Sequence, residues 1–301
     1  MKKDMIIGID IGGTFIKIGF FKNGKIIKRI KIETPKNGKE ILDKIIEIIL
    51  NLKEKIDGIG IGLPGMIYKG KLVQAPNLKG LEGFEVEKYL KERIPFEFYI
   101  DNDANCAALG EKFFGLAKDL NDFIVITLGT GVGGGIFSNG KLLRGKDGLA
   151  GEIGHTTIFP DGIRCNCGKI GCLEVYASKE GFKKILRENI SPEEIAKRAR
   201  EGIEKYKKVF DLMGFSLGIA CGNLVNIFNP EAIIFTGGIS KSYDLFKESF
   251  LNSLKENAFP HLLKDLKIKV SDISEDSGVL GAIGLFIYEK KRIEKTNYFT
   301  L

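Results

Sequence analysis

"GTFIKIGFFKNGKIIK" at residues 13–28 and "GTGVGGGIFSNGKLLR" at 129–144 are two copies of one pattern. Both read Gly-Thr, four residues, Gly, an apolar residue, Phe, any residue, Asn-Gly-Lys, two aliphatics and a basic residue. An apolar run opened by aspartate precedes each, DMIIGI at 4–9 and DFIVIT at 122–127. The pattern spells strand, glycine turn, strand, Asn-Gly hairpin, strand. A type I′ turn selects Asn-Gly because both of its central residues need positive φ. Asn-Gly-Lys alone could recur by chance. Agreement across 16 positions points instead to an internal duplication, with each half opening on a β-meander.

Helix and strand signals follow each meander. Residues 38–56 carry apolar side chains at 41, 45, 48, 49 and 52, the spacing of one helical face. IDGIGIGLPG (56–65) reads as a buried strand running into a GLPG turn, IPFEFYIDND (94–103) as another strand, and ANCAALGEKFFG (104–115) as a helix. In the second half, 178–187, 192–207 and 209–228 read as helices. AIIFTGG (232–238) is a strand meeting a glycine turn, 241–257 a helix, LKIKVSD (266–272) a strand and SGVLGAIGLFIYEK (277–290) a final helix. The expected class is α/β, with a small first domain over 1–117 and a larger second domain over 118–284. The C-terminal helix, about 285–301, is expected to return and complete the first. No low-complexity linker separates the halves, so a hinged cleft between them is expected.

Hydrophobic residues make up 44% of the 301 and charged residues 28%, the balance of a soluble globular protein. The net charge is +7, but lysines and glutamates alternate along helices such as EILDKIIEIILNLKEK (40–55). These are solvated faces, and they argue against nucleic-acid binding through charge. No segment approaches a membrane-spanning run of about 18–20 apolar residues. The start, MKKDMIIGID, reads as a first strand rather than a signal peptide. A cytoplasmic location is expected, where stable disulfides are disfavoured.

IDIGGTFIK (9–17) sets an acid at the end of a strand, then Gly12, Gly13 and Thr14. Glycines let backbone N–H groups approach phosphate oxygens, and a threonine hydroxyl adds a donor. A carboxylate beside phosphates needs a cation between the two anions, so Asp10 would hold Mg²⁺. Lys17 could add positive charge at a transferred phosphoryl group. The same residues also fit an ordinary hairpin. LGTGVGGG (128–135), with Thr130, Gly131 and Gly133, repeats the design without the acid. FTGGIS (235–240) places Gly237 and Gly238 ahead of a helix. Neither the P-loop pattern nor the dinucleotide glycine fingerprint occurs. Three glycine turns at strand ends in two related halves suggest a nucleotide held across a cleft.

YIDNDANCAALGE (99–111) crosses from strand to helix, with Asn102, Asp103 and Asn105 at the junction. Short polar side chains there can simply cap the helix. Alternatively, one carboxylate stands ready to take a proton from a substrate hydroxyl. RCNCGKIGCLE (164–174) holds Cys165, Cys167 and Cys172, three of the five cysteines. Three cysteines leave one over from any disulfide, and Cys-x-Cys is too close for an easy bridge. His155, ten residues upstream, would complete a Cys₃His set for tetrahedral zinc. A buried or redox cluster is the alternative. Cys106 and Cys221 sit in apolar helices and read as core, and His261 as a surface or packing residue.

Six motifs together resemble the ROK family of bacterial sugar kinases and sugar-responsive repressors, within the actin-like, hexokinase-like ATPase superfamily. They are DIGGT-x-x-K (10–17), APNL (75–78), DNDANCAALGE (101–111), GTGVGGG (129–135), GEIGH (151–155) and CNCGKIGCLE (165–174). The resemblance runs from Asp10 to the glycines near 281, essentially the whole chain. It implies two related actin-like (ribonuclease H-like) domains with mixed sheets flanked by helices. It implies ATP as phosphoryl donor, with Asp10, Gly12, Gly13, Thr14, Lys17, Thr130, Gly131, Gly133, Gly237 and Gly238 at the nucleotide and its Mg²⁺. Asp103 is then the base acting on a hexose C6 hydroxyl, with Asp101 its nearest rival. Sugar contacts fall on Gly65, Asn77, Asn102, Asp103, Glu152, His155 and Glu174. A structural zinc on His155, Cys165, Cys167 and Cys172 would fix the 155–174 loop and aim His155 and Glu174 at the sugar. GLPGMI (62–67) with APNLKGLEGF (75–84) looks like the glucokinase branch, so glucose is the expected substrate. Kinases of N-acetylmannosamine, N-acetylglucosamine and fructose are the alternatives. The family's repressors carry a helix-turn-helix ahead of the first phosphate loop; here Asp10 follows the start by nine residues, which favours the kinase. A homodimer or higher homo-oligomer is the family's habit.

Overall fold

Both copies of the repeat fold into antiparallel meanders, and each meander forms one side of a five-stranded mixed sheet. The structure is a computed structural model that describes residues 5–75, 78, 80–273 and 276–298, with side chains to 294. In chain order the first elements are β1 (Met5–Ile11), β2 (Phe15–Lys22), β3 (Lys25–Glu33), α1 (Gly38–Leu50), β4 (Ile56–Leu63), β5 (Met66–Tyr68), β6 (Lys71–Gln74), α2 (Val86–Lys91), β7 (Phe98–Asn102) and α3 (Asp103–Phe113). Then come β8 (Phe123–Leu128), β9 (Val132–Ser138), β10 (Lys141–Leu142), α4 (Leu173–Ala177), α5 (Lys179–Leu186), α6 (Pro192–Arg200), α7 (Glu204–Phe228), β11 (Ala232–Thr236), α8 (Tyr243–Asn257), β12 (Lys267–Val270) and α9 (Ser277–Tyr298).

The sheets run β3-β2-β1-β4-β7 and β10-β9-β8-β11-β12. In each, the meander pairs antiparallel and the last two strands join parallel. The duplication read from the glycine turns is therefore a duplication of topology. Both hairpins are the expected type I′: Asn23 and Gly24 have φ of 52° and 81°, Asn139 and Gly140 of 52° and 73°.

The chain divides into two compact units. The first is Met1–Gly115 with Arg144–Ala150 and Glu275–Leu301; the second is Leu116–Leu143 with Gly151–Ser274. Both differ in detail from the expected 1–117 and 118–284. The returning helix joins the first unit from its start rather than from about 285, because its first turns lie directly on the sheet. A Cβ on Gly60 of β4 would stand 1.7 Å from the Ala282 carbonyl oxygen of α9. The excursion 144–150 belongs to the first unit because Arg144 is anchored there, as described below.

α1 is capped by Asn37, whose side chain accepts from the Lys39 N–H, and buries Ile41, Leu42, Ile45, Ile46 and Ile49. Helix boundaries in the second unit differ from the sequence reading. The 192–207 pattern ends at Arg200, since Gly202 takes a left-handed φ of 88°, and α7 starts at Glu204. Tyr206, Val209, Phe210 and Met213 then form one continuous buried face of α7. The short β5–β6 hairpin, α2 and α4 carry too few residues for a periodic signal and were not expected.

α7 also corrects the statement that no segment approaches a membrane span. By length and composition it is apolar enough to cross one, with mean hydropathy 1.3, yet its apolar window is 56% buried inside the fold. Gly214, Gly218 and Gly222 form a stripe against α8, and a Cβ at Gly218 would lie 2.4 Å from the Ser253 Cβ. The glycines let two long helices approach closely, so the apolarity is absorbed by packing.

Candidate functional site

Each unit contributes a set of polar groups at the ends of its central strands. In the first unit Asp10 is the penultimate residue of β1 and stands opposite Lys17 in the β1–β2 register. Burial raises the Asp10 carboxyl pKa, and Lys17 opposes that rise. The first turn of α9 closes on the same carboxylate: a Cβ on Gly278 would fall 2.2 Å from Oδ2. The turn after β1 is tied down by its own backbone. The Gly12 N–H donates to Phe15 O, and the Thr34 hydroxyl donates to Gly12 O at 2.6 Å. Gly13, Thr14 and Lys17 are left exposed. The turn is tied at Gly12 and leaves Gly13 and Thr14 exposed beside the half-buried Asp10.

At the start of α3 the Asp-Asn-Asp run separates into distinct roles. Asp101 is buried. Its Oδ1 accepts from the Asn102 N–H at 2.7 Å and the Asn105 side-chain amide at 2.8 Å. Its Oδ2 accepts from Arg144 Nε and Nη2 at 2.8 and 2.7 Å. Asn102 caps α3, its Oδ1 accepting from the Ala104 and Asn105 N–H groups at 2.8 and 3.4 Å. Its Nδ2 donates to Gly65 O at 3.0 Å, tying the cap to the GLPG turn. Gly65 itself has φ of 116°, and a Cβ there would strike Gln74 O. Asp103 is the first residue of the helix and is exposed. Helix capping and an exposed carboxylate, alternatives in the sequence, are thus both present, on neighbouring residues. Asn77 lies outside the described residues.

In the second unit the two glycine turns are neighbours. A Cβ on Gly237, whose φ is 91°, would stand 2.5 Å from Leu128 O, where the Thr130–Gly133 turn begins. Glu174, in the first turn of α4, reaches the turn from the other side, its Oε2 accepting from the Val132 N–H at 3.1 Å. A Cβ on Gly131 would lie 2.4 Å from that oxygen, so a side chain there would push the Glu174 carboxylate aside. Glu152 precedes the one-turn helix that carries His155. Burial raises its carboxyl pKa, His155 lowers it and Glu174 raises it further.

The 155–174 loop folds back on itself through β-bridges Thr157–Cys172 and Arg164–Ile170. Cys165 and Gly168 close a tight knuckle, with Cys165 N–H to Lys169 O at 2.8 Å and Gly168 N–H to Cys165 O at 3.1 Å. The result brings together one ligand atom each from His155, Cys165, Cys167 and Cys172, all within 4.8 Å of one another. Cys167 and Cys172 sulfurs stand 3.6 Å apart, and Cys165 Sγ lies 3.8 Å from His155 Nδ1. Two sulfurs bound tetrahedrally at about 2.3 Å would be about 3.8 Å apart, so this donor set fits zinc. No cysteine is in a disulfide. Burial and the neighbouring thiols push Cys172 up to about 12, a state that a dication would reverse. The loop leans on an aromatic pair that the sequence did not single out. Phe159 packs edge-on to Tyr176 at 4.7 Å, and the Tyr176 hydroxyl accepts from the Ile163 N–H. Cys106 and Cys221 are fully buried core residues, and His261 is exposed.

The sequence profile of the ROK family matches residues 6–289. The chain belongs to the ROK family. Among its relatives is a glucokinase of Halalkalibacterium halodurans, 35% identical over 97% of this chain and 97% of that one. A xylose repressor of Caldicellulosiruptor bescii is also 35% identical, over 94% of this chain and 78% of the repressor. The solved ROK family glucokinase from Streptomyces griseus, in complex with glucose and AMPPNP, superposes with a TM-score of 0.80 at 29% identity, covering 93% of this chain and 98% of that one. The mixed α/β architecture of this ROK protein is that of the family's sugar kinases. Arg144 and Gly278 were not anticipated as site residues. The only signal for Arg144 was its place as the basic residue closing the repeat, and for Gly278 a glycine at a helix start.

Proposed function

We propose that this ROK protein is an ATP-dependent hexokinase that phosphorylates a sugar at its C6 hydroxyl, with glucose the preferred substrate. The observation that carries the reading is the division of roles at 101–103. Asp101 is buried and accepts from four donors, Asn102 caps the helix, and Asp103 is the solvent-exposed carboxylate at the strand–helix junction.

In this reading Asp103 takes the proton of the sugar C6 hydroxyl as that oxygen attacks the γ-phosphorus of ATP and ADP leaves. Most of the acceleration comes from alignment and charge stabilisation. The glycine turns at 12–14, 130–133 and 237–238 offer backbone donors to the nucleotide, Lys17 adds charge, and Asp10 would hold Mg²⁺, which neutralises the phosphates. Gly65, Asn77, Asn102, Glu152, His155 and Glu174 bind the sugar. The cysteines and His155 would hold zinc, which supplies rigidity rather than an activated water, because all four positions come from protein. With Nδ1 turned to Cys165, a metal there would fix the proton of His155 on Nε2, making the ring a hydrogen-bond donor to a sugar oxygen. The enzyme would work in the cytoplasm as a homodimer or larger homo-oligomer.

Likeness to a xylose repressor gives a second reading, sugar sensing without turnover. A coupled ADP-release assay over glucose, mannose, fructose, N-acetylglucosamine and N-acetylmannosamine separates them. Sugar-dependent ADP release, fastest with glucose, is expected; sugar binding without ADP release from any of the five would overturn the kinase reading.

A further inference from the structure

Arg144 closes the second copy of the repeat, at the position that Lys28 holds in the first. Lys28 is exposed in the middle of β3. Arg144 instead has a side chain only 27% exposed, and its guanidinium sits between two buried carboxylates. Nε and Nη2 bind Asp101 Oδ2, and Nη2 also binds Glu289 Oε1 of α9 at 2.8 Å. The Asp101 and Glu289 side chains are 9% and 7% exposed. From the solvent side Arg292 donates to Glu289 Oε2 at 2.8 Å, which balances the second acid, and the guanidinium carbon lies 5.6 Å from the Tyr288 ring centre. A buried carboxylate keeps its charge only where cations and hydrogen-bond donors offset its lost hydration.

Asp101 divides its two oxygens. Oδ2 belongs to Arg144, while Oδ1 holds the Asn102 N–H and the Asn105 amide. Those two asparagines bracket Asp103. The chain of contacts therefore runs from Arg144 through Asp101 to the first turn of α3, and it ends at the backbone that carries the exposed carboxylate. We propose that Arg144 is a positioning residue for phosphoryl transfer. It locks Asp101, and through Asp101 it fixes the start of α3 on which Asp103 stands. This rests on Asp103 being the base of a hexose kinase.

If Arg144 is removed, Asp101 keeps a buried charge with no cation and must turn, hydrate or protonate, and the cap loosens. A misplacement of an ångström at a base costs rate rather than binding. The test uses Arg144→Gln, Arg144→Lys, the double variant Arg144→Gln/Asp101→Asn, and Arg200→Gln as a control. Arg200 makes a comparable two-point pair with Asp244, exposed and in the other unit. Two readouts are taken: kcat and KM with glucose and ATP, and amide hydrogen exchange at Ala104 and Asn105. Arg144→Gln should lower kcat roughly 10- to 100-fold with KM for ATP within about threefold, and exchange at Ala104 and Asn105 should rise about tenfold. Arg144→Lys should recover part of the rate. The double variant should lose less than Arg144→Gln because it leaves no unpaired acid, and it serves as the folded alternative if Arg144→Gln does not fold. Arg200→Gln should move neither readout. Unchanged exchange at Ala104 and Asn105, or wild-type kcat in Arg144→Gln, would overturn the proposal. Loosened exchange in Arg144→Gln from a parent chain that turns over no hexose would uphold the positioning of α3 and remove the kinase reading alone.

Discussion

Asp10 and Asp103 are two acids in opposite settings, and each makes a prediction. Burial raises the Asp10 pKa in the fold, so the folded state disfavours the ionised form. The cost is present above the folded pKa and disappears as pH falls below the unfolded value, when both states are protonated. Asp10→Asn should therefore melt higher than the parent at pH 7, and that advantage should shrink as pH approaches 4. It should also abolish activation by Mg²⁺ if Asp10 holds the cation. Calorimetry at several pH values checks the first half and magnesium titration of turnover the second. Asp103 is exposed at the start of α3. Asp103→Asn should keep glucose binding within a few-fold in calorimetric titration and lower kcat by roughly 10²- to 10⁴-fold. Near-normal kcat would remove Asp103 as the base. Short-range signals in the sequence mark the turns and caps on which these residues stand. The Asn-Gly turns, the Asn102 cap and the Cys-x-Cys spacing are decided within a few positions of chain. Arg144, Glu174 on Val132 N–H and Gly278 against Asp10 were not legible, because each acts on a partner 42 or more residues away that only the fold brings near.

At the scale of elements, the zinc loop and the glycine stripe carry separate tests. The loop's 20 residues from His155 to Glu174 hold two isolated bridges, one knuckle and an aromatic prop, and the proposed zinc would tie these together. Protein purified without added metal should contain about one zinc per chain. Cys172→Ser should lose it and raise KM for glucose roughly 10- to 100-fold, the range seen when groups that orient ligands are removed. Full affinity for glucose in a zinc-free chain would show that the loop needs no metal. The α7–α8 contact depends on glycines. Gly218→Val forces a methyl-bearing carbon toward Ser253 and should cost about 1–3 kcal/mol or more in chemical denaturation. The α6–α7 boundary shows why periodicity misleads locally. Both helices share one apolar spacing, and the break is decided by the left-handed backbone at Gly202, a single residue within an otherwise helical pattern.

For the whole molecule, the duplicated sheet was legible because its deciding residues repeat in sequence. The exact limits of the two units were not, since they depend on where α9 and the 144–150 excursion return to pack. The proposed activity assigns roles to residues of each unit, Asp10 and Asp103 in the first and Glu152, His155 and Glu174 in the second. The central claim is that these groups act together to move a phosphoryl group onto a hexose rather than merely to sense the sugar. The most direct test is to incubate the purified chain with glucose and MgATP and assign the product by phosphorus and carbon NMR. Glucose phosphorylated at C6, formed one for one with ADP, is the predicted result. Unmodified glucose that nevertheless binds the chain would contradict it.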